Sequence, residues 1–318
     1  MEVGMCGIVG LFLKDRALEP ELGRLLSEML VSMTDRGPDS AGIAVYGPPR
    51  PGAGRLTLQS PDPEGDFATL ATDLATDLAA TLAATLDADP GGAPGTRVTL
   101  ERRGPGAVLH LPDAAVAAAR AALPRLRPGV RVTGAGRTIE IFKDVGRPAD
   151  VAERFGLAGM TGSHGIGHTR MATESAVTTD GAHPFSTGPD QCLVHNGSLS
   201  NHNNVRRRLR HAGLTFQTDN DSEVAAAYLT HRMAGGCDLG AALEHALHDL
   251  DGFYTFVVGT ADGFGVLRDA IACKPAVMAE TDAWVAFGSE YRALAALPGI
   301  DAARVWEPEP ATVYFWRH

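Results

Sequence analysis

The chain has only four cysteines in 318 residues, Cys6, Cys192, Cys237 and Cys273, and no Cys-x-x-Cys pair among them. That excludes a disulfide scaffold and points to a reducing compartment. Positive charge is also scarce: 28 Lys and Arg stand against 38 Asp and Glu, a formal net charge of −10. Nucleic acid is thereby excluded as a main partner, because phosphate backbones require a basic face. No uninterrupted apolar run is long enough to cross a bilayer, so no membrane span is expected. No charged segment leads into an apolar one near the start, so no secretory signal is expected either, and the default address is cytoplasmic. What the chain does have is a globular core, with 44% hydrophobic residues.

Local patterning predicts one large domain, 1–318, interrupted by an insertion at about 54–162. Cys6 to Leu13 is small and apolar and predicts a buried strand. Leu22, Leu25, Leu26, Met29, Leu30 and Met33 recur at helical spacing and predict a helix from Pro20 to Met33. Ala41 to Tyr46 predicts a second strand. The insertion changes character, with Leu70, Leu74, Leu78, Leu82 and Leu86 every four residues in a low-complexity stretch. That pattern fits a helix with a narrow apolar stripe or a weakly ordered segment, packing within the chain rather than forming a zipper. A Pro/Gly linker over 89–95 follows. Then Arg97–Leu111, Ala114–Leu123, Val130–Val132 and Thr138–Phe142 read as strand, helix, strand, strand, with no catalytic constellation.

After Gly162, strands are predicted over Ser163–Thr169 and Gln191–Val194. Helices follow from Ser198 to Ala212, capped by Ser200 or Asn201, from Asp221 to about Met233, and from Asp238 to Leu250. Two hairpin-like pairs complete the pattern, Phe253–Thr260 with Phe264–Arg268 and Ala276–Ala279 with Trp284–Phe287. Strands at both ends with helices between predict packed sheets flanked by helices, an α+β arrangement.

The candidate nucleophile is Cys6, in Cys6-Gly7-Ile8-Val9-Gly10. As a first residue its own α-amine would serve as the base. Initiation at Met5 and loss of that methionine would expose it; initiation at Met1 would require cleavage of a short propeptide. The plainer reading is a buried cysteine in a first strand. Further segments join it: Arg36-Gly37-Pro38-Asp39-Ser40-Ala41-Gly42, Gly167-His168-Thr169-Arg170-Met171-Ala172-Thr173, His195-Asn196-Gly197 and Asp219-Asn220-Asp221-Ser222-Glu223. In this order they closely resemble the class II glutamine amidotransferases, which are N-terminal-nucleophile hydrolases.

The resemblance covers roughly the first fifty residues and the region after about 160. It implies a four-layer αββα fold and hydrolysis of L-glutamine to glutamate and ammonia through a Cys6 thioester. It assigns the oxyanion donors to the Asn196 side-chain amide and the Gly197 backbone N–H. Glycine suits close backbone approach; an Asn-Gly pair is otherwise a tight turn. It assigns the substrate carboxylate to Arg170, whose planar fork suits it, and the substrate ammonium to Asp221. Their plainer readings are a surface ion pair and a helix N-cap. Thr173 and His183 lie where family members line the pocket, and Arg36 reads as a structural brace near Cys6.

A metal site built from His164, His168, His183, His195 and Cys192 is the competing reading. Gly165 and Gly167 favour a strand, which would separate His164 from His168, and no Glu stands between them; no metal is expected. The Arg206-Arg207-Arg208-Leu209-Arg210 run reads as a solvated helix face, with a docking patch for an acidic partner as the minor alternative.

Glu140-Ile141-Phe142-Lys143-Asp144-Val145-Gly146 and the stretch from Ser163 to Thr178 are similar to stand-alone amidotransferase subunits of glutamate-synthase-like complexes, the N-methylglutamate synthase small-subunit group in particular. This implies a hetero-oligomer in which ammonia passes to a partner synthase. FMN and iron–sulfur clusters would sit on partner subunits and no cofactor on this chain, whose cysteines are too few and unsuitably spaced for a cluster. The insertion is then read as the interface with the partner. A non-catalytic regulatory or structural subunit that retains the fold is the alternative, and the ammonia acceptor stays open.

Overall fold

The computed structural model describes residues 6–85, 97–171 and 177–318. In chain order its main elements are β1 (Gly7–Leu13), α1 (Leu22–Ser32), β2 (Ser40–Tyr46), β3 (Ala53–Gln59), α2 (Pro63–Phe67), α3 (Leu70–Thr85), β4 (Thr99–Arg103), β5 (Gly106–Pro112), α4 (Val116–Leu126), β6 (Arg131–Gly136), β7 (Ile139–Val145) and α5 (Pro148–Arg154). There follow β8 (His164–Arg170), β9 (Phe185–Gly188), β10 (Gln191–Leu199), α6 (His202–His211), α7 (Asp221–Ala234), α8 (Leu239–Asp249), β11 (Gly252–Gly259), β12 (Gly263–Arg268), β13 (Val277–Glu280), β14 (Trp284–Gly288), β15 (Arg304–Trp306) and β16 (Thr312–Arg317).

Two antiparallel sheets carry the fold. The larger has the order β15-β13-β14-β1-β8-β2-β7 and the smaller β16-β12-β11-β10-β9. Strand alternation sorts their side chains into three layers. On β1, Val9, Leu11 and Leu13 face α1, while Ile8 and Phe12 face the second sheet. On β10, Cys192 and Val194 point between the sheets, while Leu193 and Leu199 pack on the α7 side. Because both faces of β1 are covered, it reads as a continuous apolar run rather than an alternating one. The two sheets approach closely at Gly10 and Gly259, where a Cβ would stand 2.8 Å from the Phe264 ring and 2.5 Å from the Tyr46 ring. The result is the αββα layering. Among the described residues no helix is long and apolar enough to cross a membrane.

A third sheet, β4-β5-β3-β6, belongs to the inserted segment and has its own core. Leu70, Leu74 and Leu78 of the period-four stripe are buried there against Leu56, Leu58, Leu109 and Leu123. The 89–95 linker lies outside the described residues. The predicted strand over 97–111 is a hairpin, β4 and β5, turning at Gly104 with φ +56°. One boundary differs from the sequence reading. The insertion's sheet ends at Gly136, and β7 joins the main sheet beside β2, pairing Ile43 with Phe142. Strand propensity locates β7 but carries no information on which sheet receives it. The predicted helix from Ser198 begins later: β10 continues to Leu199, and α6 starts at His202. Asn201 caps no N–H with its side chain, which instead ties Asp249 O and Asp251 N–H.

Asp190 stitches the insertion to the second sheet. Its carboxylate accepts the backbone N–H groups of Arg137, Thr138 and Ile139 and the Thr138 hydroxyl, at 2.7–3.0 Å. Removing it strands three backbone donors in a mostly buried corner. Asp190→Ala is therefore expected to lower the unfolding free energy by about 3 kcal/mol, as hydrogen bonds to a charged group imply. Urea unfolding measures this; a change below about 1 kcal/mol would mean that water replaces the carboxylate without loss.

Candidate active site

The site forms where β1 begins, at the edge of the space between the two sheets. Cys6 is partly exposed and directly precedes β1. Its carbonyl oxygen accepts from two directions: Asn196 Nδ2 of β10 at 3.0 Å and Arg36 Nε at 3.3 Å. Arg36 is buried and bound through Nη1 to Glu290 Oε1 at 2.6 Å. Next to Glu290, Ser289 exchanges two hydrogen bonds with Ile8, each 2.9 Å, which fixes the first turn of the chain after Cys6. Among the remaining cysteines, Cys192 is fully buried against the Tyr46 hydroxyl, and burial pushes its thiol up to about 12. It holds no thiolate at neutral pH.

Asn196 is 5% exposed, and one hydrogen of its amide nitrogen serves Cys6 O while the second remains. Gly197 follows with φ +142°, and a Cβ there would lie 2.0 Å from Phe253 O. Only glycine fits. Arg170 ends β8, opposite Ser40 of β2 and one position beyond the Gly7–Thr169 pair. Its carbonyl accepts from Asp39 N–H, and Gly37 packs so closely on its backbone that a Cβ would lie 2.5 Å from Arg170 N. Thr173 lies outside the described residues.

Asp221 opens α7, but the cap is its neighbour Asn220, whose side chain accepts Ser222 N–H at 2.8 Å. The Asp221 carboxylate is therefore released for other partners. Oδ2 accepts Leu199 N–H at 2.9 Å and Oδ1 lies 3.7 Å from His195 Nδ1. Its side chain stays 20% exposed.

Behind Asp221 lies a buried polar group that the sequence reading did not assemble. Ser222 Oγ sits 2.9 Å from both His183 Nε2 and His195 Nδ1. His168 Nε2 donates to His195 O at 3.1 Å, and its ring stacks on His183 at 4.1 Å. Lys143 of β7, also buried, donates to Ala182 O and Pro184 O at 2.7 and 3.3 Å and so holds the His183 segment from both sides. Glu223 clamps the loop before α7 by accepting from Gln217 N–H and Thr218 N–H and hydroxyl. Arg206 is not a solvated residue: it is 5% exposed and donates to Thr218 O and Asn220 O, bracing the same loop. His-Asn-Gly and Asp-Ser-Glu contain His195, Ser222 and Glu223, but nothing in their spacing shows that His183 and His195 meet at one serine.

His164 and His168 lie four apart on one strand, and each bonds a different carbonyl, Thr260 O and His195 O. Among the described residues no group of three His, Cys, Asp or Glu side chains is placed to hold a metal ion. Burial lowers His164 and His168 to about 3, and pushes His183 well below its ordinary value. His195 is also lowered by burial, against the opposing pull of Asp221. The histidine layer is thus neutral at pH 7.

These features define a class. Stacked antiparallel sheets between helical layers, with a cysteine heading a central strand, are the fold of the class II, N-terminal-nucleophile amidotransferases. The solved glutamine phosphoribosylpyrophosphate amidotransferase of B. subtilis superposes with a TM-score of 0.59 at 18% identity, covering 98% of this chain and 47% of that one. The chain thus spans about half of that enzyme's length. A family model of a glutamine amidotransferase domain matches residues 168–296. The glutamine amidotransferase-like protein GlxB of Rhizobium meliloti (strain 1021) is 63% identical over 314 residues, 99% of each chain. A putative glutamine amidotransferase of Methanothermobacter thermautotrophicus is 32% identical over 97% of this chain and 98% of its own. The chain belongs to the glutamine amidotransferase family.

The neutral histidines carry a pH signature. Their folded pKa values, about 3 for His164 and His168, lie below the unfolded value of about 6.5. Between those values the unfolded chain binds protons that the folded one does not. Their contribution is therefore complete above pH 6.5 and lost as pH falls toward 3. Each is expected to cost on the order of 2 kcal/mol by pH 5. Urea unfolding from pH 7 to 4 measures the loss, and His168→Gln should flatten the slope. An unchanged slope would place the proton uptake elsewhere.

Proposed function

We propose that this chain hydrolyses L-glutamine to glutamate and ammonia through a Cys6 thioester. The observation that carries the reading is the meeting of Asn196 Nδ2 and Arg36 Nε on the Cys6 carbonyl, beside Arg170 at the end of the adjoining strand. With Cys6 as the first residue, its α-amine takes the thiol proton. Sγ then attacks the amide carbon, and the oxyanion forms against the free Asn196 N–H and Gly197 N–H. The C–N bond breaks, and ammonia leaves with the proton returned by the amine. Water then attacks the thioester, releasing glutamate and restoring the thiol. Arg170 receives the substrate carboxylate through its guanidinium fork, and Asp221 receives the ammonium. His183 acts at one remove, through Ser222 and the segment that Lys143 holds. Thr173 lines the pocket on the same reading.

Ammonia is passed to a cytoplasmic partner synthase of glutamate-synthase or N-methylglutamate-synthase type, which holds the FMN and iron–sulfur clusters. This part rests on the resemblance of 140–146 and 163–178 to such subunits. The inserted sheet is the surface that meets the partner.

Cys6→Ala is expected to abolish ammonia release from glutamine, and Asn196→Ala to lower kcat by about 10²–10³, the cost of one oxyanion donor. A coupled glutamate assay reads both, and the intact mass of the natural protein tells whether Cys6 is the first residue. If the complex with Cys6→Ala still draws nitrogen from glutamine, the chain is a non-catalytic subunit. If deleting the inserted sheet leaves the complex intact, the partner docks elsewhere.

A further inference from the structure

Ser222 is buried and out of reach of any substrate, yet three polar side chains converge on its hydroxyl. His183 Nε2 and His195 Nδ1 each stand 2.9 Å from Oγ, and Asp221 Oδ1 stands 3.4 Å from it. A hydroxyl has one hydrogen and two lone pairs, so it donates to one of the three and accepts from the others. The far side of each ring decides which. His183 Nδ1 and His195 Nε2 are buried and have no hydrogen-bond partner among the described residues.

Burial keeps both rings neutral at pH 7, and a neutral imidazole carries one N–H and one bare nitrogen. If Ser222 donated to His183 Nε2, the hydrogen of that ring would sit on Nδ1, where nothing accepts it. If it donated to His195 Nδ1, the hydrogen would be stranded on Nε2. A buried N–H without an acceptor is costly and rare in native structures. One arrangement alone gives every hydrogen of the group an acceptor. Both rings present an N–H to Oγ and fill its lone pairs, and the hydroxyl hydrogen turns to Asp221 Oδ1. That last contact is long for a bond between oxygens, but the two incoming N–H groups polarise the O–H toward it.

The Asp221 carboxylate is then set from two sides, Oδ1 by the Ser222 hydroxyl and Oδ2 by Leu199 N–H at 2.9 Å. Both donors are neutral, so they orient the carboxylate without cancelling its charge. We propose that Ser222 is a positioning residue: it converts the proton order of two buried histidines into a fixed setting of Asp221, and so governs how strongly the site prefers a substrate bearing an α-ammonium. The proposal rests on the reading of Asp221 as the partner of that ammonium. Because Ser222 reaches the substrate only through Asp221, its influence disappears for a substrate without the ammonium.

Two measurements on the full chain test this. The first needs neither a variant nor activity: long-range ¹H–¹⁵N correlation of the histidine rings at pH 7 tells protonated from bare ring nitrogens. His195 is expected to carry its hydrogen on Nδ1 and His183 on Nε2; the opposite tautomer in either ring overturns the proposal. The second compares glutamine with glutaramate, the same amide without the α-ammonium. Ser222→Ala is expected to lower kcat/KM for glutamine about tenfold, chiefly through KM, as loss of one hydrogen bond to a charged group implies. For glutaramate the change should stay within about twofold, since no charged partner is lost there. Equal losses on both amides would make Ser222 a packing residue and overturn the proposal. A parent chain that turns over both amides equally well, or neither, removes Asp221 as the ammonium's partner. The proposal then falls with the reading beneath it, even where the ring nitrogens are as expected.

Discussion

The carbonyl oxygen of Cys6 is the point on which the site depends. It is held by donors from opposite layers: Asn196 from the second sheet, and Arg36 from the loop that follows α1. The position of the cysteine is therefore a function of how far apart the two sheets lie. That spacing is small at Gly10, where the Phe264 ring occupies the room a side chain would need. Close packing thus sets where Cys6 stands, and on the proposed reading that matters, because reacting groups displaced by an ångström lose most of their advantage.

Electrostatics follow from the same burial. The histidines around Ser222 stay uncharged, so they bring no cation to compete for the Asp221 carboxylate. Asp221 in turn holds the N–H of Leu199 and with it the end of β10. One carboxylate thus shapes the Asn196–Gly197 segment and still presents an open edge. Asn220 makes this possible by taking over the cap.

Much of this was legible before any coordinates. The apolar run after Cys6, the helical spacing from Leu22 to Met33 and the ordered motifs at 36–42, 167–173, 195–197 and 219–223 lead to the family and the layering. Periodicity reports which face of an element is buried; it does not report its neighbour. So β7 was read as part of the insertion, although it completes the main sheet and carries Lys143. The final strands β15 and β16 went unread, since Arg304–Trp306 is too short for a pattern and Thr312–Arg317 is only half buried. Arg206 looked like one member of a solvated basic run, because a charge says nothing of the carbonyls that the chain brings beside it twelve residues later. The serine–histidine group is illegible for the same reason: its members come from β8, β10, α7 and the segment before β9, and polar networks have no period.

The inserted sheet has one further meaning. It leaves the main sheet after Tyr46 and returns at Ile139, directly opposite, since those two residues are register partners. Topologically, 47–138 is the turn of a single β-hairpin. A flexible turn of that length would exact a loop-closure penalty that grows with the logarithm of its length. A turn with its own hydrophobic core and close-set ends need not, because once folded it presents β2 and β7 to each other as two residues of Asn-Gly would. The insertion thus sets the edge of the main sheet, and through Lys143 the segment that holds His183.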